Sequence, residues 1–217
     1  MKYYPINLDI NNKKCLVVGG GNIGLRKVNT LLQCGAIVTL VSPQLHEELK
    51  DLGLENKIKV LNRAYLSTDL DDKFLVICAT DDEEINEKVA SDARGHNILC
   101  NIADRPKLCN FILPAIVQRG DLVLTISTSG KSPAFAKKLK EQFEKEFGDE
   151  YNIFLKIMGE IRKLVLSKQQ DYEKNREIFE KIIDSDLVEM IKYQRFDKAD
   201  QLLQRIVGEK LANLLDD

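Results

Sequence analysis

The N-terminal half of the chain alternates short apolar runs with stretches that have helical periodicity. The run Cys15–Val18 is entirely apolar, which predicts a buried strand. Glycines follow it, and apolar residues then recur at helical spacing at Leu25, Val28 and Leu31. The pattern therefore predicts a strand, a glycine turn and a helix, in that order.

The same alternation continues to about residue 113. Continuous apolar strands separated by helices predict a parallel sheet that is buried on both faces and has right-handed crossovers. We therefore expect an α/β fold with a Rossmann-type, doubly wound parallel sheet in a domain of residues 1–113. The further strands are predicted at Ile37–Val41, Ile58–Leu61, Phe74–Ala79 and Ile98–Ile102, with helices around Leu45–Asp51 and from Glu83 to about Arg94.

The pattern changes after Asn110. Phe111–Ala115 and Leu122–Ser127 predict two strands that are joined at a turn, and Pro133 predicts the start of a helix that Ser132 caps. We expect a small α/β region over residues 114–148 and an all-helical region over 149–217, with breaks near Ser167 and Ser185. Along the helix that starts at Pro133, four large apolar side chains recur every four residues. They are expected to be buried, in a monomer core or in a dimer seam: Phe135, Leu139, Phe143 and Phe147.

The turn after the first strand has the spacing Gly19-x-Gly21-x-x-Gly24. In a strand–turn–helix context, Gly19 permits the tight turn and Gly21 allows the backbone to approach a pyrophosphate, while Gly24 allows close packing of helix on strand. The N–H groups and the dipole of the helix N-terminus favour an anion at this point. We therefore predict a dinucleotide site here, although a glycine turn that only packs has the same spacing.

The residues after the second strand leave the choice between NAD and NADP open. A carboxylate at this position usually accepts hydrogen bonds from the adenosine ribose. This chain has Ser42, Pro43 and Gln44 instead. Ser42 and Gln44 can bond a ribose hydroxyl, but neither would repel a 2′-phosphate.

Polar residues that follow the other strands are candidates for chemistry, because ligands bind at the carboxyl ends of parallel strands. Thr80 can contact the cofactor, and the acids after it are expected to cap the next helix. Asp104 can accept a proton or hold a cationic group, and a turn residue is an equally good interpretation. A hydroxyl-rich loop at a helix start is suited to carboxylates or phosphates; it comprises Ser127, Thr128, Ser129, Gly130, Lys131 and Ser132.

The composition of the chain limits the classes of partner and of metal site that we expect. The net charge of −2 over 217 residues gives no reason to expect nucleic acid or an anionic membrane as a partner. No apolar run approaches the ~20 residues of a membrane span, so we expect a cytoplasmic protein. Two isolated histidines and no CxxC pair argue against a metal site. Buried, reduced thiols are expected for the cysteines, which are Cys15, Cys34, Cys78, Cys100 and Cys109.

Taken together, these motifs resemble the siroheme synthase family, the precorrin-2 dehydrogenases that occur alone or fused to other activities. The resemblance covers nearly the whole chain. Its markers are Tyr4–Ile6, Cys15–Gly24 with Arg26 and Lys27, Val41–Pro43, Ala79–Asp82 with Asn86, Asn101–Asp104, Phe111–Ala115 and Ile126–Pro133.

The resemblance implies NAD-dependent oxidation of precorrin-2 to sirohydrochlorin and a homodimer formed through the region after residue 114. It implies that Asp104 is the aspartate used in dehydrogenation, that Asn22, Ile23, Pro43 and Gln44 line NAD, and that the Ser127–Ser132 loop binds the carboxylates of the tetrapyrrole. A bifunctional enzyme that also inserts Fe²⁺ or Co²⁺ stays open. A non-enzymatic NAD(H)-sensing Rossmann module is the alternative from another class, but it leaves Asp104 and the hydroxyl-rich loop unexplained.

Overall fold

The alternating apolar runs of the N-terminal half form a five-stranded parallel sheet in a computed structural model that describes residues 2–168 and 171–208. This sheet lies in the first of two compact units, Met1–Leu113 and Pro114–Asp217. The elements are β1 (Lys14–Gly20), α1 (Asn22–Gln33), β2 (Ile37–Leu45), α2 (Glu47–Leu54), β3 (Lys59–Leu61), β4 (Leu75–Cys78), α3 (Glu83–Gly95) and β5 (Leu99–Ile102).

The strand order β3-β2-β1-β4-β5 confirms the doubly wound fold. The chain moves outward from β1 through β2 to β3, and then returns to the other side of β1 for β4 and β5. The order therefore reverses between β1 and β4, and ligands of such sheets bind outside the carboxyl ends of the strands at this switch point.

Helices cover both faces of this sheet because β1 is apolar on both sides. Cys15 and Val17 pack in one buried cluster with Val28 of α1. Leu16 and Val18 pack in a second cluster that includes α3. Both faces of the central strand are therefore withdrawn from water, which explains why its sequence does not alternate.

Two predicted strands differ from the structure by more than two residues at an end. β2 continues to Leu45, so Ser42–Gln44 lie in its last residues rather than after it. The register with β1 shifts between Val18 and Gly20, which accommodates Pro43 without a ladder hydrogen bond. The run Phe111–Pro114 is not a strand: Phe111 packs against the sheet, and its carbonyl accepts a hydrogen bond from Asn101.

The second unit begins with an antiparallel hairpin of β6 (Ala115–Arg119) and β7 (Leu122–Ile126), followed by α4 (Pro133–Glu146). As predicted, Ser132 caps α4, accepting from the N–H of Phe135. The apolar stripe of α4 is only partly buried within the chain. Leu139 and Phe143 pack against the hairpin, whereas Phe135 is 53% exposed.

Four helices follow, in agreement with the prediction for this region as far as residue 208; residues 209–217 lie outside the described ranges. They share one apolar core, to which Ile157, Ile182 and Leu203 contribute fully buried side chains. The helices are α5 (Glu150–Ser167), α6 (Tyr172–Ile183), α7 (Leu187–Lys192) and α8 (Phe196–Val207).

Three of the cysteines are buried in the sheet. Burial raises the pKa of Cys15 to about 11 and the pKa values of Cys78 and Cys100 to about 12. These thiols therefore stay protonated and pack as small apolar groups. Cys34 is exposed and Cys109 is half-buried. None of the described helices is both long and apolar enough to cross a membrane.

Candidate active site

Two glycines at the junction of β1 and α1 are required by packing. Gly19 has a φ of +109°, and a Cβ on it would collide with the carbonyl of Ala79. A Cβ on Gly24 would collide with the carbonyl of Gly19. Strand β1, the residue after β4 and helix α1 therefore approach one another as closely as backbone atoms allow, at the switch point of the sheet.

Gly21 differs from its neighbours because it faces open space. A Cβ at Gly21 would have no atom within 4 Å. Packing within the chain therefore does not require glycine at this position, whereas a ligand that approaches the backbone would. The residue lies at the N-terminus of α1, where Asn22 and Ile23 form the first turn.

The N-terminus of α1 has neither a side-chain cap nor an acid in its first turn. Helices α3 and α4 have caps in Asp82 and Ser132, which accept hydrogen bonds from Ile85 and Phe135. The first N–H groups of a helix have no partner within the helix. At α1 these groups and the positive end of the dipole are available to an external anion.

Gly20 is a third glycine that packing requires, and the GxGxxG spacing did not reveal it. A Cβ on it would collide with the carbonyl of Gln44, and its own carbonyl accepts from the N–H of His46 at 2.8 Å. Gly20 therefore brings the end of β2 against the glycine turn. The signal in the sequence was the unbroken run of three glycines, of which the fingerprint uses only two.

The end of β2 presents Pro43 and Gln44 to solvent, while the hydroxyl of Ser42 is turned inward. Ser42 is 6% exposed, and its Oγ donates to the carbonyl of Gln44 at 2.6 Å. The amide of Asn62, oriented with its nitrogen toward the strand, lies 3.1 Å from the carbonyl oxygens of both Ser42 and Pro43. The next residue, Arg63, is held by Asp69 through two hydrogen bonds of 2.8 and 2.6 Å.

The loop after β4 is fixed by a buried amide that the site prediction missed. Asn86 is 3% exposed; its nitrogen donates to the carbonyl of Thr80 at 3.1 Å, and its oxygen accepts from the thiol of Cys78 at 3.2 Å. Thr80 Oγ1 accepts from the N–H of Asp82 at 3.2 Å. The side chain of Asn86 thus sets the position of Thr80 at the edge of the sheet.

Replacing Asn86 by alanine should lower the free energy of unfolding by roughly 1–3 kcal/mol, because the carbonyl of Thr80 would lose its buried partner. Urea titration measures this change. Glu87→Ala, on the exposed side of the same helix, serves as the control and should alter stability by less than about 0.5 kcal/mol. Equal stabilities of the two variants would contradict the structural role of Asn86.

Asp104 lies in a turn that begins where β5 ends. Its backbone is left-handed, with φ +58°, and the turn is closed by a hydrogen bond of 3.3 Å from the N–H of Arg105 to the carbonyl of Ile102. The carboxylate is exposed at the carboxyl edge of the sheet. Arg105 also forms an ion pair with Glu83 at the start of α3, which ties this turn to the loop after β4.

A lysine on α1 lies within electrostatic reach of Asp104. Burial lowers the pKa of Lys27, the neighbouring Arg26 lowers it further, and the carboxylate of Asp104 acts in the opposite direction. Lys27 is half-buried. In the sequence Lys27 is only a marker of the family resemblance, because residues so far apart along the chain come close only in the fold.

The hydroxyl-rich loop belongs to the second unit. Ser127 and Thr128 accept from the backbone N–H groups of Ser129 and Ser132, each at 3.1 Å. Ser129 and Gly130 are left-handed, with φ values of +53° and +81°. Since each of these two hydroxyls accepts a backbone hydrogen bond, its own proton is free to donate to a ligand.

The charge of the loop is positive. Lys131 is exposed and has no ion-pair partner among the residues that the structure describes. Lys137 and Lys140, farther along α4, are paired with Glu141 and Glu144. Over the same described ranges, no group of three or more histidine, cysteine, aspartate or glutamate side chains is arranged to hold a metal ion.

Comparison with known proteins identifies the first unit. A family model described as "Putative NAD(P)-binding" matches residues 6–115, just over half of the chain. The chain belongs to this NAD(P)-binding family. A second model, described as "Sirohaem biosynthesis protein central", matches residues 119–146, which include the hydroxyl-rich loop and α4.

Siroheme synthases are among the relatives that are similar to most of this chain. Siroheme synthases of Pseudoalteromonas translucida and Tolumonas auensis are 33% and 37% identical to this chain over 97% and 93% of its length. The chain spans less than half of these relatives, 44% and 43%. Among solved structures, SirC, a precorrin-2 dehydrogenase, superposes with a TM-score of 0.79 at 28% identity, over 95% of this chain and 100% of that one. The resemblance to the siroheme synthase family is thus confirmed.

Proposed function

We propose that this chain oxidises precorrin-2 to sirohydrochlorin with NAD as the hydride acceptor. The observation that carries the proposal is the arrangement at the switch point of the sheet: an uncapped helix N-terminus, open space at Gly21 and a carboxylate at Asp104 lie along one edge. The names of the relatives and of SirC support the same reaction.

The residues of the first unit fit a dinucleotide. The N–H groups of Asn22 and Ile23 would hold the pyrophosphate, with Gly21 leaving room for it. Pro43 and Gln44 would line the adenosine, and Thr80 would border the cofactor on the β4 side. When bound, NAD supplies the capacity to accept a hydride.

Oxidation of precorrin-2 also releases a proton, which the protein must accept or pass on. Asp104 is the candidate catalytic residue, because its carboxylate is exposed at the ligand edge of the sheet. It would accept the proton or hold the macrocycle in place. Lys27 of α1 lies within electrostatic reach of this carboxylate.

The substrate is rich in carboxylates, and the Ser127–Ser132 loop offers groups that recognise them. The hydroxyls of Ser127 and Thr128 can donate, the backbone is left-handed at Ser129 and Gly130, and Lys131 is an unpaired cation within the described ranges. These groups support the assignment of the loop to substrate binding.

The proposal includes a cytoplasmic homodimer. The support is the apolar surface that the second unit leaves uncovered within one chain, to which Ile116, Val123 and Phe135 contribute with 38%, 42% and 53% exposure. Ile116 and Val123 lie on the face of the hairpin that does not carry the buried Val117 and Ile126. A two-stranded sheet with one open apolar face is marginal alone.

Phe135→Asp and Phe143→Asp separate a dimer seam from a monomer core. Phe135→Asp should leave the fold intact and shift the protein to monomer, because the side chain is exposed within one chain. Phe143→Asp should unfold the second unit or destabilise it by roughly 3 kcal/mol or more, since Phe143 packs against the hairpin. Light scattering and thermal melting give the two readouts. A wild-type monomer at micromolar concentration would contradict the dimer.

The reaction itself is tested with purified protein, precorrin-2 and NAD, by following the absorbance of NADH. We expect NADH to form in proportion to the sirohydrochlorin produced. Calorimetric titration with NAD alone, run in parallel, distinguishes the alternatives. Binding of NAD without turnover of precorrin-2 would favour a sensing module over an enzyme.

A further inference from the structure

The outer edge of β5 is covered by the chain as it returns from the Asp104 turn. Asn110 Oδ1 accepts from the N–H of Cys100 at 2.8 Å, and its Nδ2 donates to the carbonyl of Ile98 at 2.9 Å. The N–H of Asn110 donates to the carbonyl of Cys100 at 3.1 Å. One residue thus satisfies three backbone groups of an edge strand that would otherwise be open.

The thiol of Cys109 continues this cover to the end of the strand. Its Sγ accepts from the N–H of Ile102 at 3.1 Å and lies 3.3 Å from the carbonyl oxygens of both Ile102 and Arg105. These two residues flank the turn in which Asp104 lies. The thiol therefore bonds to backbone on both sides of that residue.

The direction in which the Asp104 carboxylate points depends on the backbone of its turn. The φ of Asp104 is +58°, a left-handed conformation that aspartate tolerates better than most residues but that is still less favourable than the right-handed one. The turn is held by the hydrogen bond from the N–H of Arg105 to the carbonyl of Ile102 and by the Arg105–Glu83 ion pair. Cys109 holds it from the side of β5. Burial raises the pKa of the Cys109 thiol, so it keeps the proton that it donates.

We propose that Cys109 is a positioning residue for the proposed dehydrogenation, and that its thiol holds the Asp104 turn in its left-handed form through the backbone of Ile102 and Arg105. The proposal rests on the function proposed above for Asp104. It assigns Cys109 no contact with substrate or cofactor.

Cys109→Ala removes the contacts of the thiol with the backbone of Ile102 and Arg105. Cys109→Ser replaces the thiol by a hydroxyl, which can also donate and accept. We expect Cys109→Ala to lower kcat by about 10- to 100-fold, the range in which a small displacement of a reacting group falls. The Kd for NAD should change by less than about twofold, because the thiol contacts the backbone of Ile102 and Arg105 and none of the residues proposed to hold the cofactor. Cys109→Ser should recover most of the lost kcat. Cys34→Ala, at an exposed thiol, is the matched control and should behave as wild type.

Two further measurements separate positioning from a general loss of stability. Combined with Asp104→Asn, Cys109→Ala should cause no additional loss of kcat, because a residue that acts through another is not additive with it. Amide hydrogen exchange should speed up at Ile102 in Cys109→Ala, with the amide of Val17 in the central strand unchanged. Exchange at Ile102 reports on its hydrogen bond to the Cys109 thiol, whether or not the enzyme turns over.

The outcomes are distinguishable. An inactive wild-type protein would overturn the proposed function. Unchanged exchange at Ile102 in Cys109→Ala would show, independently of activity, that the thiol does not hold the Asp104 turn. If the wild type is active and Asp104→Asn is slow, but Cys109→Ala has wild-type kcat, Cys109 does not position the carboxylate. Two other outcomes would show a merely structural role. One is that the losses of kcat add in the double variant. The other is that Cys109→Ala and Cys109→Ser lose kcat equally and amide exchange speeds up throughout the protein.

Discussion

Asp104→Asn should lower the turnover of precorrin-2 by at least ~100-fold, the lower end of what a general base contributes, while NAD binding stays unchanged. Asparagine has nearly the shape of aspartate but cannot accept the proton. It is also, with aspartate, among the residues that best tolerate the left-handed conformation found at position 104. The variant therefore changes the chemistry of the side chain and preserves the turn.

Asp72→Asn is the matched control for this experiment. Asp72 is also an aspartate with a left-handed backbone, at φ +62°, and it pairs with Lys14 at the start of β1. It thus lies at the amino end of the sheet, opposite to the ligand edge. Its replacement should leave turnover as in wild type. If Asp104→Asn kept wild-type turnover as well, Asp104 would be a turn residue and another group would accept the proton.

Gly21→Val should weaken NAD binding by at least ~100-fold, or about 2.7 kcal/mol, while the protein stays folded. The new side chain would meet no protein atom at its Cβ, so it would occupy only the space proposed for the pyrophosphate. Valine is a poor residue at a helix N-cap, and a small loss of stability is expected for that reason. Calorimetric titration with NAD and circular dichroism give the two readouts.

Gly24→Ala provides the contrast three residues away. Its Cβ would collide with the backbone carbonyl of Gly19, so α1 would have to move away from β1. Such overpacking costs typically 1–3 kcal/mol or more, which exceeds the ~1 kcal/mol that alanine gains over glycine in a helix. We expect a clearly lower melting temperature for Gly24→Ala and only a small decrease for Gly21→Val. Unchanged NAD affinity in folded Gly21→Val would refute the proposed cofactor site.

The elements that sequence alone predicted are those whose signal is local. The strand and glycine turn at Cys15–Gly24, the helix that Ser132 caps and the breaks near Ser167 and Ser185 all occur in the structure. Apolar periodicity and capping depend on residues within one or two turns of each other, so neighbouring sequence contains the information.

The predictions that differed from the structure depend on partners far away in the chain. Ser42 was expected to follow β2 with a free hydroxyl, but contact with Gly20 of β1 extends the strand and the hydroxyl bonds to Gln44. The choice between NAD and NADP was considered only at Ser42–Gln44. Asn62 also borders the end of β2, and its neighbour Arg63 is held by Asp69. For Phe135 the sequence left a monomer core and a dimer seam open, and its 53% exposure within one chain argues against the monomer core only.

The sequence by itself determined the parallel sheet and the glycine turn, and it supplied the candidates for the groups that carry chemistry, because each follows from residue type and short spacing. Only the tertiary structure decided which of those groups are free and how they are held. Asn86, Cys109 and Lys27 act on Thr80, Ile102 and Asp104 across different elements. Hydrogen bonds and charges operate over a few ångströms in space, and folding alone brings these residues within that distance.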